Sequence, residues 1–223
     1  MKTPVKKRRS YRSPHRAEQA EQTRLRILQA ARKVFMARGY WATTMAQVAA
    51  EAGTSVETVY AAFKSKAVLL ARSVGAALSR DGKGPIQSAG AAAVRLEPDP
   101  VEQLRLFARD ISVLLSSVSP IFDVVASARV EPEIGALYER MQAARLENLR
   151  VMVGWLGDKG GLRDGLDADA ATDTVWALAS PELYRALTEV RGWSRERFET
   201  WLAETLIATL TPPTGRRRPA ARR

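Results

Sequence analysis

Between residues 39 and 66 the chain reads GYWATTMAQVAAEAGTSVETVYAAFKSK, and its chemistry is that of hydroxyls and an amine at helix starts. Thr44-x-x-Gln47 forms a T-x-x-Q capping box, in which each side chain bonds the other residue's backbone N–H. Thr54-x-x-Glu57 predicts a second box. Ser65 predicts a third cap, with the Lys66 cation beside it. A hydroxyl at a helix N-terminus sits next to exposed N–H groups that favour an anion, so this set suits holding phosphate rather than breaking bonds. The groups that covalent chemistry needs are scarce. The chain has no cysteine and one histidine, His15, in a polar stretch. It has no phosphate-binding glycine loop and no metal-ligand spacing. An enzyme, a bound metal and a cofactor are therefore not expected.

Helices must position these residues. Met45, Val48 and Ala49 give the segment 44–51 one apolar face. Gly53 then permits the positive φ that ends a helix, and the second box opens another helix at about 55–62. Two capped helices this close must cross steeply, as a helix-turn-helix whose second helix fits the DNA major groove. Ahead of them, Ser13-Pro14 predicts a helix start, with a core face of Leu25, Leu28, Ala31, Val34 and Phe35 and an end near Gly39. Phe35, Tyr40 and Phe63 are expected in the core. The helix capped by Ser65 takes Val68, Leu69 and Val74 as its apolar side.

Past residue 80, Gly and Pro in 81–98 predict a loop. A helix from about 100 carries Val101, Leu104, Phe107, Ala108, Ile111 and Leu115. Ser119-Pro120 predicts a new short helix to about 128, and Glu131-Pro132 a long one ending before Gly160. Asp167 or Asp169 starts another, Ser180-Pro181 breaks it, and Ser194 caps the last. The class is all-α, with nine or ten helices. The net charge of +11 is unevenly placed. Residues 1–16 carry seven Lys/Arg and no acid, and 212–223 carry five. Residues 81–211 hold fourteen Lys/Arg against twenty Asp/Glu. One part of the chain is thus suited to meet phosphate and another is not. We divide it into a disordered basic arm (1–16), a DNA-binding domain (17–80, helix-turn-helix 44–63), a C-terminal domain (81–211) and a basic tail (212–223). No apolar run approaches the roughly 20 residues of a membrane span, and the basic N-terminus lacks a secretory h-region. A soluble cytoplasmic protein is expected.

Residues 24–70 resemble the tetracycline-repressor (TetR) family of bacterial transcription factors. The matching residues are Ile27-Leu28-x-Ala30-Ala31, Phe35, Gly39-Tyr40, Thr43-Thr44, Val48-Ala49, Ala52-Gly53, Ser55, Thr58, Tyr60, Phe63, Lys64-Ser65-Lys66 and Leu69-Leu70. More loosely, residues 180–202 resemble the closing helices of an actinobacterial-type subgroup. The resemblance implies a homodimeric repressor of double-stranded operator DNA, whose C-terminal domain dimerises and binds a small-molecule effector. It implies phosphate contacts for Thr44, Tyr60 and Lys66, with Ser55 and Thr58 facing the groove; Thr43 and Lys64 complete the set. The chain departs from the pattern at Val56, Glu57 and Ala61-Ala62. Val56 could touch a thymine methyl. Glu57 could accept from a cytosine amino group or serve the Thr54 box.

Candidate effector contacts in the C-terminal part are Phe107, Ile111, Phe122, Tyr138, Met141, Trp155 and Trp176, with Arg109, Asp110 and Asp123 available to orient a polar ligand. Core packing explains the apolar ones, and a solvated face explains the charged ones. Leu183, Phe198, Trp201, Leu202 and Leu206 on the last helices form a candidate dimer surface, with burial inside one subunit as the alternative. The rival function is an architectural DNA-binding protein using the same fold with its two basic tails.

Overall fold

The computed structural model describes residues 14–80 and 82–213, with backbone only for 14–17. The side chains of the basic arm expected at 1–16, His15 included, and residues 214–223 of the basic tail lie outside what is so described. The described residues are all-α and contain no strand. Nine helices have eight residues or more, and one has a single turn. They are α1 (Pro14–Ala42), α2 (Met45–Ala52), α3 (Val56–Phe63), α4 (Lys66–Leu78), α5 (Ala89–Leu96), α6 (Pro100–Ser127), α7 (Pro132–Gly157), α8 (Ala168–Leu178), α9 (Pro181–Arg185) and α10 (Arg195–Leu210).

The caps explain most of the boundaries. Asp99 accepts from the N–H groups of Val101 and Glu102 to open α6. Asp167, rather than Asp169, opens α8 by accepting from Ala170, and Ser180 and Ser194 do the same for α9 and α10. Each cap satisfies an N–H that the helix leaves without a partner. In α1 the helical backbone breaks at Gly39, at φ 72 and ψ 179, close to the predicted end.

Two sequence expectations need correction. The stretch 81–98 is not all loop. Ser88 caps α5 through the N–H of Ala91, and the alanine-rich run behind it has high helix propensity. Nor does Pro120 start a new helix; it lies inside a continuous α6. Proline removes one helical bond there, but Val118, Ile121, Phe122, Val124 and Val125 continue the buried stripe across it, and that packing holds the helix together. At 28 residues, with an 18-residue window of mean hydropathy 1.4, α6 would also pass as a membrane span, which sequence inspection did not anticipate. Here it is the central helix of the bundle, packed on α1, α4, α5, α7, α9 and α10.

One hydrophobic cluster runs from Ile27, Phe35 and Val59 through Leu69 and Leu104 to Leu206. The helices before residue 80 therefore share a continuous core with those after it. Ile27 takes the inward position on α1, while Leu25 is 50% exposed, since it lies about 200° around the helix from Ile27. Val68 on α4 likewise points outward. Two polar links add to the seam with α6. Arg32 of α1 donates to the Ser117 carbonyl at 2.6 Å, and Arg80 just past α4 pairs with Asp110.

The candidate dimer surface needs the largest correction. Phe198, Leu202 and Leu206 are fully buried within the chain, where α10 lies against α6. Phe198 meets Tyr184 edge-on at 4.9 Å and Trp201 at 5.7 Å. Only Leu183 and Trp201 of the predicted set are half-buried.

Candidate DNA interface and effector cavity

The helix-turn-helix forms through local bonds. Thr44 accepts from the Gln47 N–H at 3.2 Å, and Gln47 Oε1 accepts from the Thr44 N–H at 2.9 Å, so the predicted box is complete. Gly53 ends α2 at φ 62, with its N–H on Ala50 and the Thr54 N–H on Ala49 at 3.0 Å. That pair of bonds is a Schellman closure, and it draws Thr54 into the end of α2. Ser55 is therefore the residue that caps α3, accepting from the Thr58 N–H at 3.2 Å. The predicted Thr54 box does not form. The Glu57 carboxylate is held below its usual range by its own backbone N–H and by the Ser55 hydroxyl. Thr44, Ser55, Tyr60 and Lys64 are exposed and Thr58 is half-exposed, so hydroxyls, a phenol and an amine lie open on the helix-turn-helix.

Three predicted members are otherwise engaged. Thr43 is 1% exposed, and its hydroxyl donates to the Gly39 carbonyl at 2.7 Å. It secures the turn and offers no side chain to DNA. Val56 is half-buried against the core, which withdraws much of it from any base. Lys66 turns inward. Its Nζ donates to the carbonyls of Tyr40 at 2.9 Å and Thr43 at 3.1 Å and stands 4.2 Å from the centre of the Tyr40 ring. Burial lowers its pKa, and Glu131 works against that shift. Its first role is to clamp the turn that carries Thr44.

Lys64 is the only described non-glycine residue with a positive φ, at 60°. It ends α3 with its N–H on Tyr60 at 2.8 Å. A side chain in this region costs about 1 kcal/mol or more. Lys64→Gly is expected to raise unfolding free energy by about 1 kcal/mol while weakening duplex binding and lowering its salt slope by about one contact. Thermal denaturation and binding at several salt concentrations check both halves.

A cavity of about 300 Å³ lies between α4, α6 and α7. Leu78 closes it from α4, Leu115 and Val118 from α6, Arg140, Arg145 and Asn148 from α7, and Pro181 from α9. Of the predicted effector contacts, Ile111, Phe122 and Met141 line it. Phe107 and Trp155 line an adjoining space of about 60 Å³. Tyr138 and Trp176 line neither. Tyr138 packs on Phe122 at 5.6 Å and accepts from Gln142 Nε2, and Trp176 lies under Arg145 at 4.7 Å. Asp110 and Asp123 are taken up by Arg80 and Arg185, and Arg109 is exposed.

The family model for bacterial regulatory proteins of the tetR family matches residues 27–72. Those residues include the helix-turn-helix and most of α4. The N-terminal segment is a tetR-family domain. No curated protein matches the chain in sequence. Among solved structures, NalD, the secondary repressor of the MexAB-OprM multidrug efflux pump in Pseudomonas aeruginosa, is 22% identical. It aligns over 88% of this chain and 99% of its own with a TM-score of 0.66. A candidate transcriptional regulator from Saccharomonospora viridis in complex with choline is 23% identical over 86% and 99%, at a TM-score of 0.68. A candidate TetR-family regulator from Mesorhizobium loti is 20% identical over 85% and 96%, at 0.65. At these identities the likeness establishes the fold, which extends well beyond the matched segment. The matched family and these neighbours are regulators, not enzymes.

Within this tetR-family domain, sequence reasoning missed Trp41. It is 59% exposed, edge-on to Tyr40 at 5.4 Å and three residues from the Thr44 cap. An aromatic beside a buried tyrosine in a turn is the signal that could have found it. Arg145 and Asn148 were missed as well. They follow Met141 by four and seven residues, so helical spacing already puts them on the cavity-lining face of α7.

Proposed function

We propose that this tetR-family chain is a homodimeric, ligand-responsive transcription repressor acting on operator DNA in the bacterial cytoplasm. The observation that carries the reading is the span of α4. At one end Lys66 grips the carbonyls of Tyr40 and Thr43; at the other Leu78 forms part of the cavity wall. Thirteen residues of helix put these ends about 18 Å apart, and a packed helix moves as a body rather than bending. A molecule entering the cavity would displace Leu78, and α4 would carry the shift to the turn that sets Thr44 and, through it, α2 and α3. A small-molecule site in this fold has support from the choline complex of the Saccharomonospora neighbour.

General helix-turn-helix geometry supports the dimer, because such modules read two half-sites about 34 Å apart. Leu183 and Trp201, half-exposed on α9 and α10, remain available to a second copy. Selection of bound duplexes from a random pool is expected to return a half-site repeated with two-fold symmetry. Tyr60→Ala, at a residue 50% exposed, is expected to fold normally and bind that duplex about tenfold more weakly at constant salt. Equal binding of all duplexes at every salt concentration would overturn the reading.

A further inference from the structure

We infer that the cavity selects an amphipathic organic anion, a carboxylate on an apolar body, and that Arg145 is the group that meets its charge. This rests on reading the cavity as the effector site. The wall is mostly aliphatic and aromatic, and its charged lining residues are two cations, Arg140 and Arg145, with no Asp or Glu among them. Arg140 is exposed at the edge. Arg145 is more enclosed, and burial lowers its pKa to about 10, which still leaves it charged at neutral pH.

The partners of Arg145 are neutral. It donates to the Trp176 carbonyl and, at 3.4 Å, to Gln142 Oε1, and its guanidinium stands over the Trp176 ring. No carboxylate lies within ion-pair distance of it among the described residues. Glu182, exposed on α9, exerts an acidic influence on it without forming an ion pair. A guanidinium has five N–H donors in a planar fork suited to a carboxylate. A partly desolvated cation without a counter-ion is costly, and an anion that replaces its lost solvation binds with a charge-assisted bond. Asn148, the other polar lining residue, adds a neutral amide to the same wall. The volume of about 300 Å³ falls at the small end of ligand pockets.

A purely structural role would make Arg145 a cap for the C-terminal carbonyls of α8, where Trp176 lies. Calorimetric titration of the full chain separates the two roles, using decanoate, decan-1-ol and decyltrimethylammonium below their micelle concentrations. Decanoate is expected to bind about tenfold to a hundredfold more tightly than decan-1-ol, and the ammonium most weakly. Arg145→Met is expected to remove the decanoate advantage while leaving decan-1-ol affinity nearly unchanged; a capping role alone would lower both alike. Arg145→Lys, which keeps the charge and a capping donor, is expected to retain part of the preference, and with the wild-type series it decides the matter if the methionine variant does not fold. Binding of the alcohol or the ammonium as tight as that of decanoate would overturn the anion assignment and leave the cavity as an effector site. Failure of all three to bind would overturn the effector reading itself, and the anion assignment with it.

Discussion

Replacing Phe198 by alanine is expected to lower the unfolding free energy by about 3–5 kcal/mol without weakening self-association of the native protein. The ring is fully buried, edge-on to Tyr184 and tilted against Trp201, with Leu202 one turn further along the same buried stripe. Truncation loses the ring's transfer free energy and leaves a cavity bounded by α6 and α9, helices fixed by their other contacts and poorly able to collapse into it. Urea denaturation with an unchanged m-value measures the loss, and sedimentation of the folded protein measures self-association. The two readouts part the core from a seam between copies. A stability near that of the parent with a weakened dimer would return Phe198 to the interface; the opposite pair of results keeps it in the subunit core. Trp201→Ala supplies the contrast, because its half-exposed ring reaches the surface where a second copy would meet it.

What the sequence disclosed and what it hid divide by the range of the interaction. The Thr44 box was legible because both partners lie within three residues. The cap of α3 was misread by one position, since Thr54 and Ser55 are both hydroxyl residues with an acceptable residue three places on. The choice was made by the Schellman closure at Gly53, which engages the Thr54 N–H. Pro120 and the alanine-rich α5 were misread for another reason: turn and breaker rules are local, whereas packing around α6 overrode them. The apolar stripe of α10 was visible, but periodicity states only that a face is buried. It does not state whether α6 or a second copy covers it. Arg145 and Lys66 show the same limit for charges. A basic residue on a helix reads as solvated or as phosphate-binding, and only the fold shows one against Trp176 and the other bonded to the carbonyls of a turn.

The inward-turned lysine carries the last expectation. Lys66→Met should lower stability by about 2 kcal/mol and duplex affinity at least about tenfold. The carbonyls of Tyr40 and Thr43 would each lose a charge-assisted bond, and the Tyr40 ring would lose the cation above it. Methionine keeps the apolar stem in place, so the loss reports the ammonium rather than a cavity. The affinity falls because the turn from Tyr40 to Thr43 fixes the direction in which Thr44 begins α2, and α3 takes its position from α2 through Gly53. Salt dependence tells what else the amine does. If Lys66 also touches a phosphate, the slope of log K against log salt should shrink by roughly 0.9. If it acts as a clamp alone, binding weakens with the slope unchanged. Lys64 provides the opposite pattern, because its exposed amine should take slope without taking stability. A methionine variant that keeps both the stability and the affinity of the parent would remove Lys66 from the positioning machinery, and with it the route by which α4 links the cavity to the DNA face.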